Sequence, residues 1–225
     1  MPRNPMLTFH GKQELKDQKI AQVRAHRQAD QLVKGQYWQD GKGCAIACTI
    51  HSSDHYAYEI EMGIPVELAY LEDRIFEGLD NGKAMMWPER FLEAIPVGVD
   101  LRRSHINKRF VLALITDEKR GILNRIKNTD ARAEATKIAE ILSRGCAAAT
   151  PEDALADRAY RADRAHLTYL AYRAYPADPA DLAHRAYPAY PADLADLAYR
   201  ADLADLAEIL LETLAATRPA GPEKV

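Results

Sequence analysis

The chain has 225 residues, with 30 Lys+Arg against 33 Asp+Glu, a net charge of −3 and three cysteines, Cys44, Cys48 and Cys146. No basic excess is available to grip nucleic acid, and three cysteines do not make a secreted disulfide scaffold. No stretch approaches the roughly 18 apolar residues that cross a bilayer, and no apolar run follows Met1-Pro2-Arg3-Asn4-Pro5. The reading is therefore a cytoplasmic protein with no signal peptide and no membrane partner.

Lys12 to Lys34 reads as a helix, flanked by Gly11 and Gly35 and rich in helix formers. Its apolar positions (Leu15, Ile20, Val23, Leu32, Val33) form one narrow stripe. Lys16, Lys19, Arg24 and Arg27 form a basic face, read as solvated. Gln36 to Gly43 reads as a loop. The apolar run Cys44 to His51 is too short to assign by period alone, and its alanines favour helix. Ser52-Ser53-Asp54 supplies a break and a cap, and Gly63 stops the short helix that follows. Pro65 suits a first helical position, with Leu68, Leu71, Ile75 and Leu79 recurring at helical spacing. Glu72, Asp73 and Glu77 read as solvated acids and Asn81-Gly82 as a turn. Pro88 is expected to start a helix that Pro96 stops, with Phe91, Leu92 and Ile95 inward. Asp100 caps a helix to about Thr116, whose stripe is Ile106, Phe110, Ala113 and Leu114. Asp130 caps the next, with Ile138, Ile141 and Leu142 inward and Gly145 as its stop.

From Ala156 to Ala207 every third residue is alanine except Thr168, giving 18 triplets whose second and third positions follow Ala-[Asp/Tyr/His]-[Arg/Leu/Pro] until the last, Ala207-Glu208-Ile209. The Asp, Tyr and His codons differ only in the first base, so duplication of a short gene unit explains the choices. Thr150-Pro151-Glu152-Asp153 is a helix start, expected to lead a helix to about Ala174. Pro176, Pro179, Pro188 and Pro191 forbid its continuation, and a helix resumes from Ala192 to about Thr217. A period of three winds the alanine stripe around a helix, so no fixed coiled-coil seam follows. Residues 151–225 carry 13 acids against 8 bases and seven of the 11 tyrosines, a surface suited to self-association or to a protein partner through residues 151–217.

The expected fold is mainly α. It comprises a compact multi-helix core over 1–149, an alanine-rich repeat arm or hairpin interrupted by prolines over 150–217, and a disordered terminus over 218–225.

Cys44, Cys48, His51 and His55 lie within 12 residues, and both residue types ligate zinc. On one unbroken helix the outer two would stand about 16 Å apart, so a shared ion requires the break at Ser52-Ser53-Asp54. A second reading is catalytic. Gly41-Lys42-Gly43 and a helix start would lower the Cys44 thiol pKa, with His55 as base and Glu59 orienting it. The third reading is buried structural cysteines.

Three segments carry a resemblance: Gly41-Lys42-Gly43-Cys44-Ala45-Ile46-Ala47-Cys48, Leu71-Glu72-Asp73-Arg74-Ile75-Phe76-Glu77-Gly78-Leu79, and the stretch from Trp87 to Leu101. The chain resembles a family of uncharacterised bacterial and phage proteins over about residues 10–145. Its members often end in an alanine-rich tail containing tyrosine and aspartate. The resemblance implies the core boundary, fits Cys44, Cys48 and His55 to the family pattern, and implies no activity. The function expected is a non-enzymatic binding or assembly protein whose repeat tail self-associates. The rival is a hydrolase or transferase using Cys44 and His55.

Overall fold

The computed structural model describes residues 5–36, 38–127, 129–147 and 203–218. Over them the protein is mainly helical, with eight α-helices and no strand among the described residues. The helices are α1 (Gln13–Gln28), α2 (Ala45–Ile50), α3 (Ala57–Met62), α4 (Val66–Gly78), α5 (Asn81–Ala94), α6 (Ile106–Thr116), α7 (Thr129–Ala147) and α8 (Leu203–Ala215). The chain divides into two compact units, one of residues 1–106 with 202–225, the other of residues 107–201.

In the first unit α1 packs on α5 and α2, and α4 packs on α5 and α2. Ile46, Tyr58, Leu68, Ile75, Phe76, Trp87, Phe91 and Leu92 are fully buried between these helices. Each large side chain so buried contributes about 1.5–3 kcal/mol. Gly63 ends α3 at φ +61°, and a Cβ there would stand 2.1 Å from the Leu7 carbonyl oxygen. Positive φ and this close approach both require glycine.

Four expected boundaries move. α1 stops at Gln28 rather than Lys34. Asp30 takes φ 53°, and the Val33 N–H then donates to the Gly43 carbonyl at 2.9 Å. Leu32 is buried by this extended pairing, so tertiary contact overrides helix propensity. α5 begins at Asn81 after Asp80, and Pro88 lies inside it. A proline there removes one helix bond at a cost of about 3 kcal/mol, offset by the burial of Trp87, Phe91 and Leu92 around it. Asp100 does accept from the Arg103 N–H at 3.0 Å, but His105 takes φ 55° and α6 begins only at Ile106. α7 runs through Gly145 to Ala147.

The basic face of α1 is solvated only in part: Lys19 is buried, Lys16 and Arg27 are half-buried, and Arg24 is exposed. Lys16 donates to the Glu93 and Ile95 carbonyls at 2.8 and 2.7 Å, and Arg24 and Arg27 both pair with Glu89. These cations fasten α1 to the end of α5.

The second unit contains the rest of α6, a turn at 117–124 and α7. Its core is Val111, Ile115, Ala135, Ile138, Ala139 and Leu142, with Leu112, Leu123 and Ile126 packed against it. The expected helix over 151–174 lies outside the described residues. The second expected repeat helix is described from Leu203 to Ala215.

Candidate functional site

Lys19, Gln22, Val23 and His26 fall on one face of α1, spaced at 3, 4 and 7 residues. This face meets the C-terminal end of α2, whose last carbonyls lack intrahelical partners. Lys19 Nζ and Gln22 Nε2 donate to the Thr49 carbonyl at 3.0 and 2.9 Å, and Gln22 Nε2 reaches the Cys48 carbonyl at 2.7 Å. α2 then closes on His51 in the left-handed conformation, φ 51° and ψ 37°.

That turn sets the His51 ring against His26, with Nε2 to Nε2 at 2.8 Å. Trp38 stacks on His51, centroids 4.7 Å apart and planes 21° apart. The other nitrogen of His26, Nδ1, lies 2.6 Å from Gln31 Oε1. A carbonyl oxygen only accepts, so His26 Nδ1 carries a proton, and in the neutral ring its Nε2 offers a lone pair. His51 Nε2 then donates to it. Partial desolvation of the ring, then the neighbouring His26 and Lys19, holds the His51 pKa below its usual value.

The four residues grouped by spacing divide: His51 and Cys48 turn to other partners, while Cys44 and His55 both border Asp73. His51 joins His26 and Trp38. Cys48 Sγ points at the Gly43 carbonyl, 3.4 Å away. His55 stacks on Tyr70 with centroids 4.5 Å apart, and its Nε2 lies 3.7 Å from Asp73 Oδ2. Cys44 is buried beside Asp73. Among the described residues no group of three or more His, Cys, Asp or Glu is arranged to hold a metal ion.

The thiols are insulated rather than activated. Burial, then the charge of Asp73, pushes the Cys44 pKa well up, and burial pushes Cys48 up to about 11. Cys44 is the N-cap of α2, but a helix of six residues offers little dipole against that desolvation. Glu59, expected to orient His55, instead accepts from the Val66 N–H at 3.0 Å and pairs with Arg102. Asp73 is the carboxylate beside His55.

Glu72 is fully buried, not solvated. Tyr58 Oη donates to its Oε2 at 2.7 Å, and Trp87 Nε1 donates to its carbonyl at 3.0 Å. Burial raises the pKa of both Glu72 and Tyr58 well above their usual values.

The end of the repeat forms a second surface of interest. α8 contains the last triplets and packs on α5 and α4. Leu206, Leu210 and Leu214 are fully buried at helical spacing. Leu203 meets the α4 backbone at Gly78, where an added Cβ would stand 2.2 Å from its Cδ1. The chain matches no protein-family model, no curated protein and no solved structure.

His26, Trp38, Tyr70 and Asp73 are absent from the site expected by spacing. His26, Tyr70 and Asp73 lie on helices remote in sequence from Cys44–His55, Trp38 lies in the loop just before it, and no local period marks them.

Proposed function

We propose that this chain is a non-enzymatic assembly protein that self-associates through its three-residue repeat. The observation that carries the reading is the docking of α8. The last triplets are fastened to the first unit by Leu206, Leu210 and Leu214 and by the Arg90–Glu208 pair. The repeat is thus held at its far end as well as by the core that precedes it. A self-association surface so held loses less freedom on pairing than a free tail would. The tyrosines and aspartates between Ala156 and Asp202 are then its contact chemistry.

The test is to shorten the repeat, removing 159–200 in whole triplets while keeping α8. Removing α8 as well would bare an apolar face and drive aggregation. Mass measured by light scattering falls toward the monomer in the shortened chain if the reading holds. An unchanged mass rejects it. The rival reading, a Cys44/His55 enzyme, draws less support, because a buried thiol beside a carboxylate is a poor nucleophile.

A further inference from the structure

We propose that His26 and His51 form a two-imidazole site for a divalent first-row transition ion such as Ni²⁺ or Zn²⁺, which binds between their Nε2 atoms. Four observations converge on this pair. The two Nε2 atoms are 2.8 Å apart. Two nitrogens bound cis at about 2.1 Å from an octahedral ion lie about 3.0 Å apart, and tetrahedral binding needs about 3.4 Å. The rings need to part by a few tenths of an ångström and to turn so that both Nε2 lone pairs converge on the ion.

Second, the contact with Gln31 selects the ligating tautomer of a neutral His26. Gln31 Oε1 holds its Nδ1 proton at 2.6 Å, the outer-shell contact that orients metal-binding histidines. His51 needs only to move its proton from Nε2 to Nδ1, with no net proton released. Third, the His51 ring is fixed from behind by the stacked Trp38. Its backbone is fixed by the left-handed cap of α2, whose carbonyls Lys19 and Gln22 hold. Fourth, His51 is exposed and His26 half-buried, so an ion can enter and keep solvent on its remaining positions. Imidazole nitrogens favour this class of ion over Mg²⁺ or Ca²⁺. Bound there, the ion would clip α1 to α2.

Trp38 reports the site. Ni²⁺ alone, titrated into the full-length protein, should quench Trp38 fluorescence saturably through the stacked His51 ring. Trp87, the other tryptophan, is buried elsewhere, and Trp38→Phe should abolish the response. The midpoint should rise at least tenfold in His26→Ala and in His51→Ala and stay unchanged in His10→Ala. Equal midpoints in all three variants would overturn the site, as would the absence of any quenching. Should the histidine variants unfold, the wild-type protein still decides. Ni²⁺ should broaden the ring signals of His26 and His51 first in its NMR spectrum, and broadening that starts at any other histidine overturns the proposal.

Discussion

Arg90 and Glu208 pair through two parallel hydrogen bonds, Nη1 to Oε1 and Nη2 to Oε2, each 2.8 Å, across 118 positions of chain. The pair joins α5 to the first turns of α8, and it sits at the rim of a buried leucine stripe. Both side chains are half-exposed, so the fork orients α8 more than it holds it. An exposed pair contributes about 0–1 kcal/mol. A fully buried leucine replaced by alanine costs about 2–5 kcal/mol.

Leu210→Ala should therefore destabilise the first unit by about 2–5 kcal/mol in urea unfolding, and Arg90→Ala by about 1 kcal/mol or less. Gly78→Ala should cost less than the leucine change, because its Cβ meets only the movable end of the Leu203 side chain. A Leu210→Ala variant as mild as Arg90→Ala would show that α8 does not hold to α4 and α5.

Helix content was legible wherever apolar residues recurred at helical spacing on one element. α4 announced itself through Leu68, Leu71 and Ile75, and α7 through Ile138 and Leu142. What failed to show were features decided by distant contacts. Leu32 leaves the α1 pattern because Gly43 pairs with that strand-like segment, and Pro88 is carried inside α5 by the packing of its neighbours. Glu72 looks like any surface acid until Tyr58, 14 residues earlier, is brought to it. The same holds for the site. The Cys-His spacing placed four residues close in sequence, yet their partners His26, Trp38 and Asp73 come from other elements.

The buried Tyr58–Glu72 pair makes stability depend on pH with a definite sign. Glu72 has its folded pKa raised by burial, so the folded state binds a proton that the unfolded state releases above about 4.5. Its contribution is complete below that value and is lost as pH rises toward and through the folded pKa. Glu72→Gln removes the titration. The stability of Glu72→Gln relative to wild type should grow from pH 4.5 upward, followed by thermal melts across that range. A constant difference would show that Glu72 titrates normally. Tyr58→Phe strips a buried acceptor of its donor and should cost roughly 1–3 kcal/mol.

Cys44 and Cys48 should behave as core thiols. In a Cys146→Ser background, which leaves only these two, Ellman's reagent at neutral pH should react slowly with the native protein and rapidly in urea. The raised thiol pKa values leave little thiolate at pH 7. A fast native phase assigned to Cys44 by peptide mapping would restore the enzyme reading and weaken the assembly one.

In the second unit the turn after α6 is organised around Asp117, and its titration tests that turn directly. Arg120 Nη2 donates to Oδ2 at 2.9 Å, and the backbone N–H groups of Arg120 and Lys119 donate to Oδ1 at 2.8 and 3.0 Å. The Arg120 side chain first, and its N–H next, hold the Asp117 pKa down at about 2. A depressed folded pKa means that the stabilisation is present above about 4 and is lost as pH falls from there through about 2. Carboxyl-carbon NMR should place the Asp117 midpoint near 2, and Asp117→Asn should flatten the acid loss of stability in that window. A midpoint at the ordinary aspartate value of 3.8 would mean that this turn does not form. Asn124 would then also lose its place, because its side chain donates to the Asp117 and Glu118 carbonyls within the same turn.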